Sequence, residues 1–135
     1  MRGLSFACFV SAILVSVSLA HAGDISIQGL QPVVVKTIPE SGSLDVDPGL
    51  TEIRVTFSKE MQDKSWSCVT LSKETFPPTA GDPKYDVGKR TFVLPVKLEP
   101  GRTYALMLNS EKYTNFKDVK GNSALPYLLI FETRK

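Results

Sequence analysis

Apolar residues in this chain alternate with polar ones in short runs, separated by polar stretches that are rich in turn residues. The clearest run is residues 51–57, where Ile53, Val55 and Phe57 alternate with Glu52, Arg54 and Thr56. Successive side chains of a strand point to opposite faces, so this spacing predicts one buried and one wet face. The same period recurs in residues 91–98 (Phe92, Leu94, Val96), 103–109 (Tyr104, Leu106, Leu108) and 127–133 (Tyr127, Leu129, Phe131). Shorter strands are expected at the β-branched run 33–35, at 65–71 and near 84–87. In 65–71, Val69 and Leu71 share one face and Trp66 and Cys68 the other, and spacing alone leaves open which turns inward. No segment has a helical period. Six or seven short strands with frequent turns predict an all-β, antiparallel β-sandwich.

Turn residues divide the strands. Glu40-Ser41-Gly42 and Asp45-Val46-Asp47-Pro48-Gly49 are turn sequences, since Pro and Gly preset backbone angles that strands do not use. Between 73 and 89 the chain is polar and broken by Pro77, Pro78, Gly81, Pro83 and Gly88, leaving room only for a short edge strand. Pro95, inside an otherwise regular run, predicts an edge position or a bulge. Leu128 and Ile130 form a second apolar face on the last strand, expected either to be covered by the N-terminal strand or to stand open as a contact patch.

The first residues read as an address. Arg2, the apolar run 4–20 and the small residues of Ala20-His21-Ala22 predict a signal peptide over 1–22, removed on export. A short flexible lead-in, 23–31, and one domain, 32–135, follow. About 113 residues remain, a common size for one domain with its own core. Cys8 leaves with the leader, so Cys68 stands alone and no intrachain disulfide is expected. The expected place is the periplasm or the cell exterior, with no membrane insertion after cleavage. Sixteen basic residues against fourteen acidic ones, with no run of one sign, give no footprint for nucleic acid.

The most informative stretch is Leu98-Glu99-Pro100-Gly101-Arg102-Thr103-Tyr104. A tight Pro-Gly turn joins two strands and a Tyr opens the second, the layout of a tyrosine corner, in which the hydroxyl bonds back to upstream backbone. Around it, the chain carries Ile38-Pro39-Glu40-Ser41-Gly42, then the strand ending Phe57-Ser58-Lys59-Glu60-Met61. Asp118, Gly121 and Asn122 follow the corner, and Phe131-Glu132-Thr133 comes last. In this order the pieces resemble the bacterial Ig-like domain of the SbsA type, named after an S-layer protein. The resemblance runs from about Val33 to Thr133. It departs from the family between Pro77 and Pro83. It implies an Ig-like or fibronectin-III-like sandwich of about seven strands in an exported bacterial protein, acting as spacer, stalk or adhesive surface. It supplies no catalytic residues. Tyr104, Phe57 and Phe131 are expected to be structural.

Side-chain chemistry points the same way. The only His, His21, lies in the leader, so Ser-His and Cys-His pairs are absent from the mature chain. Cys68 is expected to pack as a small hydrophobe, with an intermolecular disulfide as the rival reading. Zinc clusters are missing, Met61 and Met107 lie too far apart in sequence for a copper(I) site, and no cofactor is expected. Asp45 with Asp47, and Asp118 with Asn122, fit turn chemistry better than a calcium loop. Glu40, Asp45, Glu52, Glu60, Glu74, Glu99 and Glu111 are scattered on turns and wet faces rather than paired for sugar hydrolysis. Among the aromatics, Phe116 is expected to pack under the loop 109–122. Tyr85 and Tyr113 lie in polar surroundings and are the candidate interaction residues. The resulting expectation is a non-catalytic exported module with a structural, adhesive or protein-interaction role, whose partner is another exported or envelope protein. The alternative is a glycan- or peptide-binding accessory protein using those aromatics.

Overall fold

The alternating runs become strands whose inner residues meet between two sheets. The computed structural model describes residues 25–135, so the expected leader 1–22 and its cleavage site lie outside the described residues. Seven strands follow in order: β1 (Val34–Ile38), β2 (Glu52–Phe57), β3 (Cys68–Thr70), β4 (Lys84–Tyr85), β5 (Thr91–Pro95), β6 (Thr103–Leu108) and β7 (Tyr127–Glu132). One sheet has the order β1-β2-β5-β4 and the other β3-β6-β7, all pairings antiparallel. This is the expected Ig-like β-sandwich.

The period-two reading fixes the core. Ile53, Val55 and Phe57 from β2, Phe92 and Leu94 from β5, Leu106 and Leu108 from β6, and Leu129 and Phe131 from β7 are all buried. Side chains of this kind each contribute about 1.5–3 kcal/mol relative to exposure. Phe116 closes the top of the core beneath its loop, 5.3 Å from the ring of Phe57 and edge-on to Phe92 at 4.9 Å. Its loop is held by Asn109, a buried left-handed residue (φ 63°). The Asn109 amide donates to the carbonyls of Phe116 and Ala124 at 3.0 Å, and its oxygen accepts from Phe116 N–H at 2.9 Å. Every polar atom of that side chain has a partner, which is what makes its complete burial tolerable.

The corner forms as expected. Tyr104 is buried against Phe131, and its hydroxyl accepts a hydrogen bond from Glu99 N–H at 2.8 Å. Thr133 adds a second latch, donating from Oγ1 to Glu99 C=O at 2.6 Å and accepting from Arg102 N–H at 3.0 Å.

Two readings of the sequence are corrected or resolved. Pro95 does not put its strand at an edge: β5 lies between β2 and β4. Val96 N–H donates to Thr51 C=O, so every second residue of β5 faces β2 and Pro95 faces the other way. There β4 has already ended, and the irregular strap 77–83 needs only the Pro95 carbonyl, which accepts from Ala80 N–H at 2.9 Å. The Leu128–Ile130 face is not covered by the N-terminal strand; both residues stand on the outer side of the three-stranded sheet, 43% and 38% exposed.

Candidate functional site

The two edges of the three-stranded sheet have different surroundings. At the β7 edge the chain leaving β1 crosses over and pairs with it. Ser41 Oγ donates to Leu128 C=O and accepts from Ile130 N–H, Gly42 N–H donates to Ile130 C=O, and Glu132 N–H donates to Ser43 C=O. Val46 N–H then donates to Glu132 C=O, and Val46 forms a parallel bridge with Thr133. From the Leu128 carbonyl onward, that side of the sandwich is covered.

At the β3 edge none of the described residues crosses. Asn109 N–H donates to Ser67 C=O at 3.0 Å, which sets the phase of the ladder between β3 and β6. Antiparallel pairs alternate between bonded and non-bonded, so Val69 faces β6 while Cys68 and Thr70 turn N–H and C=O outward. Among the described residues, no backbone or side-chain group bonds those outward groups. They face an open groove of about 670 Å³, lined by β3 on one side and by Phe76, Thr79, Pro83 and Leu94 on the other, with Trp66, Tyr113 and Asn115 at one end.

Local structure explains how each wall is held. Trp66 is half-buried and turns inward, its ring 5.5 Å from Phe92 and 6.3 Å from Tyr85. This contact settles which face of 65–71 is internal: Trp66 and Cys68 pack on the core, and Leu71 points out at 55% exposure. Tyr113 is presented by a tight turn in which Tyr113 N–H donates to Ser110 Oγ and Ser110 N–H to Tyr113 C=O. That turn is pinned to the start of β3, because Asn115 N–H donates to Ser67 Oγ at 3.0 Å and Ser65 Oγ donates to Asn115 C=O.

The two candidate aromatics therefore part company. Tyr113 is 48% exposed at the groove mouth, with Lys112 Nζ 5.3 Å from its ring centre. Tyr85 lies in β4 with its ring against Trp66 and Phe92 and its hydroxyl enclosed without a partner; burial raises its pKa, followed by the nearby Cys68 and Asp63. It is a wall of the core rather than a free platform. Phe76, Thr79 and Asn115 were not singled out by sequence, because they come from separate connections that only the fold brings together.

Cys68 lines the groove, and burial pushes its thiol up to about 12. Nucleophilic attack and disulfide exchange need the thiolate, so burial works against both at this position. The acids considered for calcium are engaged in their own turns. Asp47 Oδ1 accepts from Gly49 N–H at 2.8 Å. Asp118 is buried and lies 2.6 Å from Lys59 Nζ, while Lys120 N–H, Asn122 N–H and the Asn122 amide also donate to its carboxylate. Burial opposes its ionisation, but the hydrogen bonds from Lys59, Asn122 and Lys120 outweigh that and hold the pKa down at about 2. Lys59 in turn donates to the carbonyls of Gln28 and Leu30 at 3.2 and 2.6 Å, tying the lead-in to the top of the sandwich. Buried ions are tolerated when paired and fully hydrogen-bonded, as here.

The wider similarities agree with this architecture. Residues 29–133 match the family model of the bacterial Ig-like domain. Two solved structures share the fold: the S-layer protein rSbsC, at 21% identity and a TM-score of 0.50, and domains 1–6 of surface layer protein SbsC, at 20% and 0.50. Each comparison covers 80% of this chain but only 14% of the S-layer chain it matches. No curated protein matches the sequence.

Proposed function

Since this chain belongs to the bacterial Ig-like domain family, we propose that it works as a non-catalytic module exported to the cell envelope, where it contacts another envelope protein. The observation that carries the protein-contact reading is the uncharged groove along β3, with Tyr113 at its mouth and unbonded backbone along one wall. Fold alone does not supply function, and the site is what distinguishes one sandwich from the next. The groove favours recognition over chemistry: its Cys68 is held as a thiol and no general base lies among its lining residues. The S-layer neighbours support a place in the envelope, with the whole-protein role of those much longer chains kept apart from this one.

Photo-crosslinking tests the reading directly. A photoreactive residue placed at Tyr113 is expected to trap a discrete polypeptide in intact cells, while the same group at Lys36, on the opposite sheet, traps none. Equal labelling from both positions, or a crosslink to polysaccharide alone, contradicts it.

A further inference from the structure

Resting on the protein-contact reading above, we infer that the groove takes an extended, uncharged segment of a partner polypeptide, which adds to the edge of β3 as an extra strand. Four sheet edges exist among the described residues, and three are guarded. β7 is paired by residues 41–46. β1 has an irregular register between Val34 and Lys36 and ends against Pro39. β4 is two residues long and is preceded by Pro83. Bulges, prolines and very short strands are the usual means of blunting an edge. β3 alone pairs on one side while offering the N–H and C=O of Cys68 and Thr70 to a cavity large enough for a guest. Its N–H and C=O groups recur at every second residue, the spacing that the backbone of an added strand satisfies.

Charge selects the guest. None of the residues lining the groove is charged. A guest side chain turned inward meets Trp66, Phe76, Pro83 and Leu94, where an unpaired charge would be desolvated without compensation. Inward positions of the guest are therefore neutral, with β-branched residues favoured by the strand geometry. The guest's outward positions extend the outer face that Val69 and Leu71 already form with Met107 and Leu128. Cys68 contributes packing and backbone rather than a covalent bond, consistent with its protonated thiol. A sugar polymer would use Tyr113 and Asn115 but leave the paired pattern of N–H and C=O on β3 unanswered.

Trp66 is the only tryptophan and lines the groove, so its fluorescence reports occupancy. The experiment selects short random peptides on the purified protein by phage display, then titrates the synthetic peptides while following Trp66 emission. The expected peptides alternate neutral β-branched residues, shift the emission, and bind about ten-fold or more weakly to Thr70→Pro, which removes one outward N–H without touching the ladder to β6. Thr70→Ala, keeping that N–H, is expected to bind more tightly than Thr70→Pro. Methylating alternate backbone nitrogens of the peptide is expected to abolish binding, and this arm carries the test should Thr70→Pro fail to fold. Peptides that shift Trp66 yet ignore both backbone changes overturn strand addition while leaving the groove as a protein site. Recovery of no peptide that moves Trp66 overturns the inference, and cellohexaose shifting Trp66 in its place overturns the protein-contact reading as well.

Discussion

The β7 and β3 edges belong to one sheet, flank the same strand β6 and contribute to the same core, yet they end in opposite ways. On β7 the outward Leu128 C=O, Ile130 N–H and C=O, and Glu132 N–H and C=O find partners in residues 41–46, and among the described residues only the Leu128 N–H at the start of the strand does not. On β3 the outward groups of Cys68 and Thr70 find none among the described residues. Backbone polar groups are nearly always satisfied when they are buried, by protein or by water. The closed edge meets that requirement from within the chain, and the open edge leaves it to solvent or a guest. Stability is thus concentrated on the β7 side and recognition on the β3 side.

If that division holds, substitutions on the closed side are expected to lower stability and those on the open edge to leave it nearly unchanged. Phe131→Ala, which empties a fully enclosed position beside Tyr104, is expected to lower stability by about 3–5 kcal/mol in urea or guanidinium titrations. Acid is expected to act through Asp118, buried against Lys59. Its folded pKa of about 2 lies below its ordinary value of 3.8, so its contribution is complete above pH 3.8 and is lost as pH falls through 2. The loss is on the order of 2 kcal/mol, and in pH-dependent unfolding Asp118→Asn is expected to be less stable than the parent at neutral pH and to lack this acid limb. Tyr104→Phe leaves Glu99 N–H without its acceptor and is expected to cost about 1–2 kcal/mol in the same titration. Ser41→Ala removes the side-chain bridge on β7, a loss of about 1 kcal/mol, with faster amide exchange confined to Ile130. Smallest of all, Thr70→Ala on the open edge is expected to change stability by less than about 0.5 kcal/mol. A Thr70→Ala loss as large as that of Tyr104→Phe would erase the distinction between the two edges.

Much of the closed side was legible in the sequence, and most of the open side was not. Leu129 and Phe131, or Tyr104, Leu106 and Leu108, announce their inward face through local alternation, because long strands keep their phase. The corner was readable because Pro100-Gly101 and Tyr104 sit next to one another in the chain. In contrast, β3 is only three residues long, and its phase is set across the sandwich by Trp66 meeting Phe92 and Tyr85. Tyr85 read as a loop aromatic for the same reason: what covers it comes from β3 and β5. Pro95 suggested an edge because proline removes a donor, but the donor is removed on the side where β4 has already stopped. Burial of Lys59 had no local signal, since lysine is ordinarily exposed and its partner Asp118 arrives from the far end of the domain. The groove itself is a gap between connections, and a gap leaves no pattern in a linear sequence.

Native-state amide hydrogen exchange, resolved residue by residue by NMR, reads the two edges in one spectrum. The Ile130 and Glu132 amides are expected to exchange slowly, while Cys68 and Thr70 exchange orders of magnitude faster in the absence of a guest. Protection at Cys68 and Thr70 equal to that at Ile130 in the free protein would mean that β3 is closed, and the account of this molecule as one sealed edge and one receptive edge would be wrong.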